Sequence, residues 1–276
     1  MTDCTRMVFM ANGELQPVTV FDDYFSPEKT YIYEVFRVID GIPLFIEDHL
    51  DRFFETVRLA GADSGCKRNQ LLTDILSVIG ANGRDEGNIK ISIAPGKSGN
   101  SNLLIYYTPH IYPTAQQFAS GVAVKLMEAE RNNPNAKVMD MPLRAVTDKI
   151  KSQDEVYEVL LVDRKGYITE GSRSNVFFIS GDEVITPPLE SVLPGITRKQ
   201  IISLCEASQI RVSETVVHRN DLKKFDALFI SGTSRKVLPV NRVDEQSFDV
   251  NNSQMKRIAD LFSNHVASYL KSHRPG

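Results

Sequence analysis

The sequence predicts a mixed α+β fold, and three observations lead to this prediction. The first half contains Asn-Gly at residues 12–13 and Asp-Gly at residues 40–41, each between apolar runs, which is typical of tight β-hairpins. Two later segments, 48–61 and 70–80, carry apolar residues at helical spacing and end in glycine. The second half alternates short apolar runs with longer periodic segments. Strands and helices are therefore mixed along the whole chain of 276 residues.

Two hairpins begin the chain, and two helices follow them. Each helix is predicted from an apolar face that packs into a core and from a glycine at or near its end. The predicted core positions are Leu50, Phe53, Phe54 and Val57 in the first helix, and Leu72, Ile75, Leu76 and Ile79 in the second.

A third hairpin and a linker complete the first half. The runs NIKISIA and LLIYY flank PGKSGNSN, whose glycine, serine and asparagine residues predict a turn. The segment TPHIYPT contains two prolines and predicts a linker, which places a boundary near Tyr112. The predicted domains are residues 1–112 and 121–276, joined by a linker at 113–120.

The second half predicts five strands and two helices. The strands are GVAVKLM, EVLLVD, SNVFFI, RVSETVV and ALFIS. The helices are TRKQIISLCEAS and SQMKRIADLFSNHVASYL, and the second places Met255, Ile258, Leu261, Phe262 and Tyr269 on one face.

Composition and charge exclude several classes of function. A net charge of −3 gives no electrostatic reason to expect a polyanionic partner, so nucleic acid binding is not predicted. The cysteines Cys4, Cys66 and Cys205 are scattered and lack CxxC spacing, so neither a disulfide framework nor a metal site is predicted. The first residues lack the long apolar run of a signal peptide, and no stretch approaches membrane-spanning length. These features favour a soluble protein of the reducing cytoplasm, without a membrane partner.

Four segments of the second half occur in an informative order. NPNAKVMDM carries Lys137, DRKGYITEGSRSNVFFI carries Glu170, and LPGITR and FISGTSRKVLPV follow. A lysine that can form an imine, a carboxylate that can face a ring nitrogen, and two turns that can hold a phosphate are the parts needed to bind and use pyridoxal phosphate. Singly, each part has an ordinary explanation, because most lysines are solvated surface charges. Their combination points to this cofactor.

These segments, together with YEVFRVIDGIPLFIEDHLDRF near the start, resemble the class IV aminotransferases, also called fold type IV pyridoxal-phosphate enzymes. The family includes branched-chain and D-amino acid aminotransferases and aminodeoxychorismate lyase, and the resemblance covers most of the chain. It implies a small N-terminal α/β domain, a larger barrel-like C-terminal domain and the cofactor between them. It also implies a homodimer that acts on small amino acids and keto acids.

The resemblance implies two catalytic residues. Lys137 would react with the cofactor aldehyde as a neutral amine, and burial near cationic groups lowers the pKa of a lysine. Once displaced by the substrate amine, it would move a proton between the substrate Cα and the cofactor C4′. Glu170 would face the pyridine nitrogen and keep it protonated. Without the resemblance, the two residues also fit a surface lysine and an exposed acid at a strand end.

The cofactor phosphate requires hydrogen-bond donors, and three groups are predicted to contribute. Arg52 lies on the helix face opposite Leu50, which suits a guanidinium that leaves the core and binds phosphate in a bidentate manner, although a solvated arginine has the same pattern. A helix start offers free N–H groups to an anion, although glycine and threonine are common there in any case. The predicted cofactor contacts at this helix start and at the SGTS turn are Ile196, Thr197, Gly232 and Thr233, with Thr233 placed on the phosphate by the resemblance. Asn175 is also assigned to the cofactor site, with an ordinary turn asparagine as the alternative.

Substrate contacts are predicted from the strand YEVFRV and the SGTS turn. Tyr33 and Arg37 share one strand face by two-residue alternation, and the resemblance turns that face toward the active site. Arg37 would hold a substrate carboxylate, with a solvated strand arginine as the alternative. The backbone at Thr233 and Ser234 is a second candidate for the α-carboxylate. Arg235 is a further candidate cation, for which a surface position is the alternative.

The predicted function is transfer of an amino group between an amino acid and a 2-keto acid, with branched-chain amino acids as one candidate class of substrate. The alternatives are aminodeoxychorismate lyase and, from a different class, a protein that binds pyridoxal phosphate without catalysis. The last of these is considered because the loop SPEKT differs from the family pattern. Pro142, where branched-chain enzymes carry tyrosine, leaves the subfamily unassigned.

Overall fold

The computed structural model of the chain contains one sheet of six strands and one of ten, with helices beside them, and it confirms the predicted fold class. The structure describes residues 3–84, 86–94, 102–131 and 133–274. Its packing divides the chain into two compact units, which are described one at a time below. The first unit comprises Met1–Ile111, Ala136–Asp140 and Ala267–Gly276, and the second comprises Tyr112–Asn135 and Met141–Val266.

The first unit is built on the six-stranded sheet. Its elements are β1 (Val8–Ala11), β2 (Glu14–Pro17), a 3-10 turn (Val18–Val20), α1 (Phe21–Tyr24), β3 (Ile32–Ile39), β4 (Ile42–Pro43), α2 (Ile46–Leu59), α3 (Arg68–Ala81), β5 (Gly87–Ile93) and β6 (Leu103–Thr108).

Neighbouring strands of this sheet are antiparallel, in the order β2, β1, β6, β5, β3, β4. Both predicted tight hairpins are present, with residues 12–13 between β1 and β2 and residues 40–41 between β3 and β4. All four turn residues have positive φ, from 53° to 87°, as the favoured two-residue hairpin turn requires. Strands β5 and β6 pair as predicted, and the turn predicted between them, at residues 95–101, lies outside the described residues.

Both predicted helices of the first unit are present, but the buried face of α3 differs from the prediction. In α2 the predicted face is buried, with Phe54 packed at the edge of the core. In α3 the core residues include Leu71, Ile75 and Val78, whereas the side chain of Leu76 is 48% exposed. The physical reason is rotation. Leu76 is the residue after Ile75, so its side chain lies roughly 100° around the helix from Ile75. The buried stripe instead contains Leu71, Ile75 and Val78, which recur at intervals of four and three residues.

The second unit is built on the larger sheet. Its elements are α4 (Ala115–Ser120), β7 (Val122–Glu128), α5 (Met141–Gln153), β8 (Glu158–Val162), β9 (Tyr167–Gly171), β10 (Asn175–Ser180), β11 (Glu183–Thr186), a 3-10 turn (Leu189–Ser191), α6 (Ile196–Ala207), β12 (Arg211–Glu214), β13 (Val217–His218), a 3-10 turn (Arg219–Lys224), β14 (Ala227–Gly232), β15 (Lys236–Val243), β16 (Gln246–Ser247) and α7 (Ser253–Ser272), whose last residues belong to the first unit.

The strands of the second unit form a curled half-barrel in the order β12, β11, β10, β14, β15, β7, β8, β9, β13, with β16 beside β15. Strand β7 pairs in parallel with both β15 and β8, which places it within the sheet. The core under this sheet consists mainly of branched and aromatic strand residues, among them Val124, Leu160, Phe178 and Ile230. Such side chains suit a pleated, buried surface.

Several elements of the second unit differ from the sequence prediction. The run RVSETVV is not one strand, because β12 pairs in parallel with β11 whereas β13 pairs antiparallel with β9. Val216 lies between them and is 52% exposed, so the apolar run does not mark a continuous buried strand. Helix α5 was not predicted. Helix α4 lies within the range predicted as a linker, and the predicted domain boundaries themselves stay a prediction.

Within the described residues, no helix combines the length and the apolar character that a membrane crossing needs.

Candidate active site

Lys137 lies in a short segment that pairs with the start of β3 in the first unit. The backbone N–H of Tyr33 donates to the Lys137 carbonyl at 3.1 Å, and the N–H of Met139 donates to the Tyr31 carbonyl at 2.8 Å. The Lys137 Nζ lies 4.8 Å from the centre of the Tyr33 ring. The amine is therefore held against an aromatic face by a segment fixed to a strand, which is a more constrained environment than a polar surface loop.

Strand β3 alternates between two environments, as its sequence predicts. Tyr33, Val35 and Arg37 are half-buried, while Glu34 and Phe36 between them are fully buried. The predicted substrate residues therefore share one face, and Glu34 lies on the other.

Lys90 belongs to the same face as Tyr33 and was not identified from the sequence. It is paired across the sheet with Val35, and its ammonium group is buried. Its Nζ lies 6.0 Å from the ring centre of Tyr33 and 5.5 Å from those of Phe25 and Tyr106. It also forms an ion pair of 2.7 Å with the carboxylate of Asp3. The sequence contained one signal for this site, which was a charged residue within the apolar run NIKISIA.

Arg37 is engaged by a carboxylate of its own unit. Its Nε donates to Glu86 Oε1 at 3.1 Å, and its Nη2 contacts the same oxygen. The Arg37 side chain is mostly buried, whereas that of Glu86 is half exposed. A substrate carboxylate at this position would therefore replace or join Glu86, so the predicted substrate role of Arg37 stays a prediction.

The environment of Arg52 differs from the sequence expectation. The residue is buried rather than directed out of the core, and its Nε donates to Glu34 Oε2 at 2.9 Å while Nη2 donates to Glu34 Oε1 at 2.5 Å. His49 Nδ1 lies 2.9 Å from the same Oε1. The periodicity of α2 placed Arg52 on a face that leaves the core, and it contained no sign of the buried carboxylate that β3 contributes and that binds the guanidinium. The phosphate role of Arg52 stays a prediction.

The buried surroundings shift the pKa values of Glu34 and His49. Burial alone would raise the pKa of Glu34, but the charge of Arg52 and the bond from His49 hold it well below its usual range. Burial lowers the pKa of His49 below its ordinary value of 6.5, despite the opposing effect of Glu34. The arrangement is a buried ionised carboxylate with an arginine and a neutral histidine around it.

This arrangement predicts that the protein loses stability as the pH falls. Below about pH 6.5 the unfolded chain takes up a proton at His49 before the folded chain does, so the free energy of unfolding must decrease. We expect a steeper decrease between about pH 7 and pH 5 in the native protein than in His49→Gln, measured by urea unfolding. The exposed His110, changed to glutamine, is the control and should follow the native profile. Parallel profiles for native protein and His49→Gln would contradict the buried neutral histidine.

In the second unit, Glu170 lies next to the end of β9, and both of its carboxylate oxygens are bound. Arg131 Nε donates to Oε1 at 2.8 Å, and the backbone N–H of Leu193 donates to Oε2 at 3.0 Å. Arg131 Nη2 also donates to the Ser172 carbonyl at 2.6 Å. Glu170 is buried. Its carboxylate is therefore fixed in orientation, and Arg131 is a second functional candidate that the sequence reasoning missed, because nothing in the run EAERNN distinguishes it from a surface arginine.

Asn175 holds the loop that precedes α6. Its Nδ2 donates to the carbonyl of Leu193 at 3.0 Å, so Glu170 and Asn175 bind the two backbone polar groups of the same residue. A Cβ at Gly195 would lie 1.9 Å from the Asn175 side-chain oxygen, so only glycine fits there. This close packing fixes the position at which the next helix begins.

Helix α6 begins at Ile196, as predicted, and Thr197 in its first turn is buried. The residue before the helix is Gly195, so no N-cap side chain binds the first N–H groups of α6. Strand β14 ends at Gly232 and leads into a turn that contains Thr233 and Ser234, both of which are half-buried. Thus Glu170, Asn175, Ile196, Thr197, Gly232, Thr233 and Ser234 belong to one unit, whereas Tyr33, Arg37, Arg52 and Lys137 belong to the other.

The sequence model of the family "Amino-transferase class IV" matches residues 31–243, most of the chain. The chain belongs to the class IV aminotransferase family. It is 26% identical over 231 residues to a D-alanine aminotransferase of Bacillus licheniformis, covering 78% of this chain and 80% of that protein. It is 27% identical over 240 residues to a putative branched-chain-amino-acid aminotransferase of Methanocaldococcus jannaschii, covering 82% of each.

Solved structures agree on the fold. The branched-chain amino acid aminotransferase of Escherichia coli superimposes with a TM-score of 0.84 at 24% identity, covering 94% of both chains. A hypothetical aminotransferase from Mycobacterium tuberculosis, in its pyridoxal-phosphate-bound form, gives 0.80 at 16% identity, covering 95% of this chain and 99% of that one. A putative 4-amino-4-deoxychorismate lyase from Legionella pneumophila gives 0.76 at 20% identity, with 85% and 90% covered. At these identities the structures establish the shared fold of fold type IV enzymes.

Proposed function

We propose that this class IV aminotransferase binds pyridoxal 5'-phosphate and transfers an amino group between an amino acid and a 2-keto acid. The observation that carries the proposal is the buried Glu170 carboxylate, which Arg131 and the Leu193 N–H hold in one orientation. A fixed carboxylate of this kind is what a protonated ring nitrogen needs opposite it. Family membership and the two aminotransferase relatives support the same reaction.

The donor groups of the second unit fit the phosphate of this cofactor. The start of α6 offers backbone N–H groups at Ile196 and Thr197, and the helix dipole there favours an anion. The turn after β14 adds the hydroxyls of Thr233 and Ser234. Among the described residues, the buried Ser231 hydroxyl just before this turn has no hydrogen-bond partner, and buried polar groups are seldom left so. A bound ligand that accepts a hydrogen bond from the Ser231 hydroxyl, or donates one to it, would supply the missing partner.

Each residue then has a defined task. The bound cofactor supplies a sink for the electrons left when the substrate Cα proton departs. Lys137 holds the cofactor and, when released, carries that proton as base and then as acid. Glu170 keeps the ring nitrogen protonated, and Arg52, Thr197 and Thr233 hold the phosphate.

The first test locates the cofactor on the chain. Borohydride reduction of the holoprotein should attach the cofactor covalently and irreversibly to Lys137, because this is the lysine held in the constrained segment beside Tyr33. Peptide mapping by mass spectrometry identifies the labelled residue. A label on Lys149 or Lys151 of α5, or no label, would refute the assignment.

A donor panel then distinguishes the reactions. Both enantiomers of alanine, glutamate and branched-chain amino acids are mixed with the holoprotein, and the half-reaction is followed by the cofactor spectrum. Conversion by any of them supports transamination, and the active donor identifies the substrate class. Pyruvate release from aminodeoxychorismate without conversion of the panel would assign the lyase reaction instead, and an unreactive complex would indicate cofactor binding alone.

For substrate selection, we propose that the face of Tyr33, Arg37 and Lys90 recognises the donor side chain, with Ser234 near its α-carboxylate. Arg37→Ala should raise KM for a dicarboxylic donor about tenfold or more and leave a branched-chain donor nearly unchanged, because a lost charge-assisted bond costs roughly 1.5–3 kcal/mol. Glu86→Gln is the matched variant. It removes the carboxylate that now occupies Arg37 and should lower KM for the dicarboxylic donor. Equal KM values in all three proteins would leave substrate selection to the turn at Thr233 and Ser234.

Two proposals remain, of which the first rests on the resemblance and the second on the scattered cysteines. We propose a homodimer, which sedimentation equilibrium tests directly, and a cytoplasmic location, which fractionation of the native host tests.

A further inference from the structure

The buried carboxylate of Glu158 organises the turn that follows Glu170. Glu158 begins β8 and has no exposed surface. The hydroxyls of Ser172 and Ser174 donate to its two oxygens at 2.5 and 3.2 Å, and the backbone N–H of Arg173 lies 3.3 Å from Oε2. Three consecutive residues of the turn are therefore bound to one side chain.

The same carboxylate binds the turn that carries Thr233 and Ser234. Arg235 Nη2 lies 3.1 Å from Glu158 Oε2, and Arg235 Nη1 donates to the Arg173 carbonyl at 2.9 Å. The backbone N–H of Arg235 closes its own turn by donating to Gly232 at 3.0 Å. Arg235 is thus largely buried between the two turns and is not a surface arginine, which was the alternative drawn from the sequence.

The turn after Glu170 is closely packed against Glu158. A Cβ at Gly171 would lie 2.0 Å from the Ser174 hydroxyl and 3.1 Å from Cγ of Glu158. Burial would raise the pKa of Glu158, but Arg235 and the Ser172 hydroxyl outweigh it and hold the carboxyl ionised. A charged acceptor makes all of these hydrogen bonds stronger than a neutral one would.

We propose that Glu158 is a positioning residue that sets the separation between the turn after Glu170 and the turn of Thr233 and Ser234. It touches neither cofactor nor substrate and acts through Arg235 and the two serines. The inference rests on the proposed function, in which Glu170 meets the ring nitrogen and Thr233 the phosphate of one cofactor. A ring and a phosphate are joined covalently at a fixed distance, so the two turns must be held at a matching distance.

The test is a double-mutant cycle on cofactor affinity. The dissociation constant of pyridoxal phosphate is measured by titrating the apoprotein of the native chain, Glu158→Gln, Thr233→Ala and the double variant. Thr233→Ala alone should weaken binding about tenfold. In the Glu158→Gln background the turn is no longer fixed, so Thr233→Ala should weaken cofactor binding less than about threefold. The effects of residues that act through one another are not additive. A role of Glu158 in stability alone would leave the two effects additive and would overturn the inference.

Two further variants keep the test decisive. Asp226→Asn is the control, because Asp226 accepts from the Gly181 N–H beside the start of β14, the end away from Gly232, and its effect should be additive with that of Thr233→Ala. If Glu158→Gln does not fold, Ser174→Ala replaces it in the cycle, since this change releases one turn and keeps the Glu158–Arg235 pair.

The outcomes separate this inference from the proposed function. If Thr233→Ala weakens the cofactor equally in both backgrounds, the positioning role is wrong and the proposed function stands. If Thr233→Ala and Glu170→Gln change neither cofactor affinity nor turnover in the otherwise native chain, the proposed function is wrong and the positioning role fails with it.

Discussion

Glu170→Gln is expected to retain pyridoxal phosphate and to lose turnover by at least about a hundredfold, the usual effect of removing a preorganised electrostatic group. An amide cannot hold a proton on the ring nitrogen as a carboxylate does, so the ring would accept electrons poorly. Binding should survive, because the proposed phosphate contacts belong to other residues. Stopped-flow measurement of each half-reaction, together with cofactor titration, separates the two quantities.

Arg131→Gln provides the comparison for this prediction. It keeps the carboxylate but removes the charge that binds Glu170 Oε1 and the bond to the Ser172 carbonyl. We expect a smaller loss of turnover than for Glu170→Gln, because the Leu193 N–H still orients the other oxygen. Turnover at the native rate in Glu170→Gln would assign the ring nitrogen to a different residue.

The sequence predicted those parts of the candidate site that lie within single motifs. The start of α6 at Ile196 and the end of β14 at Gly232 follow from local glycine and threonine signals, and the structure has both. Lys137 and Glu170 were identified because their segments resemble family motifs. Such features depend on a few consecutive residues, so the chain around them suffices to predict their local structure.

The charged groups that support these residues could not be predicted in the same way. Lys90, Arg131 and Glu158 each bind partners from another element, and a single sequence does not reveal which elements become neighbours. Arg52 shows the same limit, since it was predicted to leave the core, whereas its partner Glu34 from β3 holds it buried. Burial of a charged side chain is decided by tertiary pairing, which hydrophobic periodicity does not report.

The same reasoning explains the errors in the fold. The predicted core positions of α3 were Leu72, Ile75, Leu76 and Ile79, whereas the buried side of the helix includes Leu71 and Val78 and leaves Leu76 exposed. The run RVSETVV has strand character throughout, yet its two ends pair with different strands. Periodicity indicates that a segment has strand or helix character. The element against which the segment packs decides which of its residues are buried or paired.

Arg52→Lys is expected to weaken pyridoxal phosphate binding about ten- to hundredfold, the usual cost of losing a charge-assisted contact. In the structure the guanidinium meets Glu34 with two nitrogens, a forked geometry that the point charge of lysine cannot reproduce. The amine would therefore be misplaced both for Glu34 and for the phosphate.

Two comparisons identify the cause of the effect. One is the variant Glu34→Gln, and the other is the ligand pyridoxal, which lacks the phosphate. Glu34→Gln keeps the guanidinium but leaves it buried without its carboxylate, and breaking such a pair typically costs about 3–5 kcal/mol of unfolding free energy. If Arg52 contacts the phosphate, Arg52→Lys should weaken pyridoxal phosphate much more than pyridoxal. Equal weakening of both ligands would mean that Arg52 acts only by holding Glu34 and His49 in the core. In that case, the phosphate would depend on the donors of α6 and of the Thr233 turn, and Thr197→Ala should then give the larger loss of affinity.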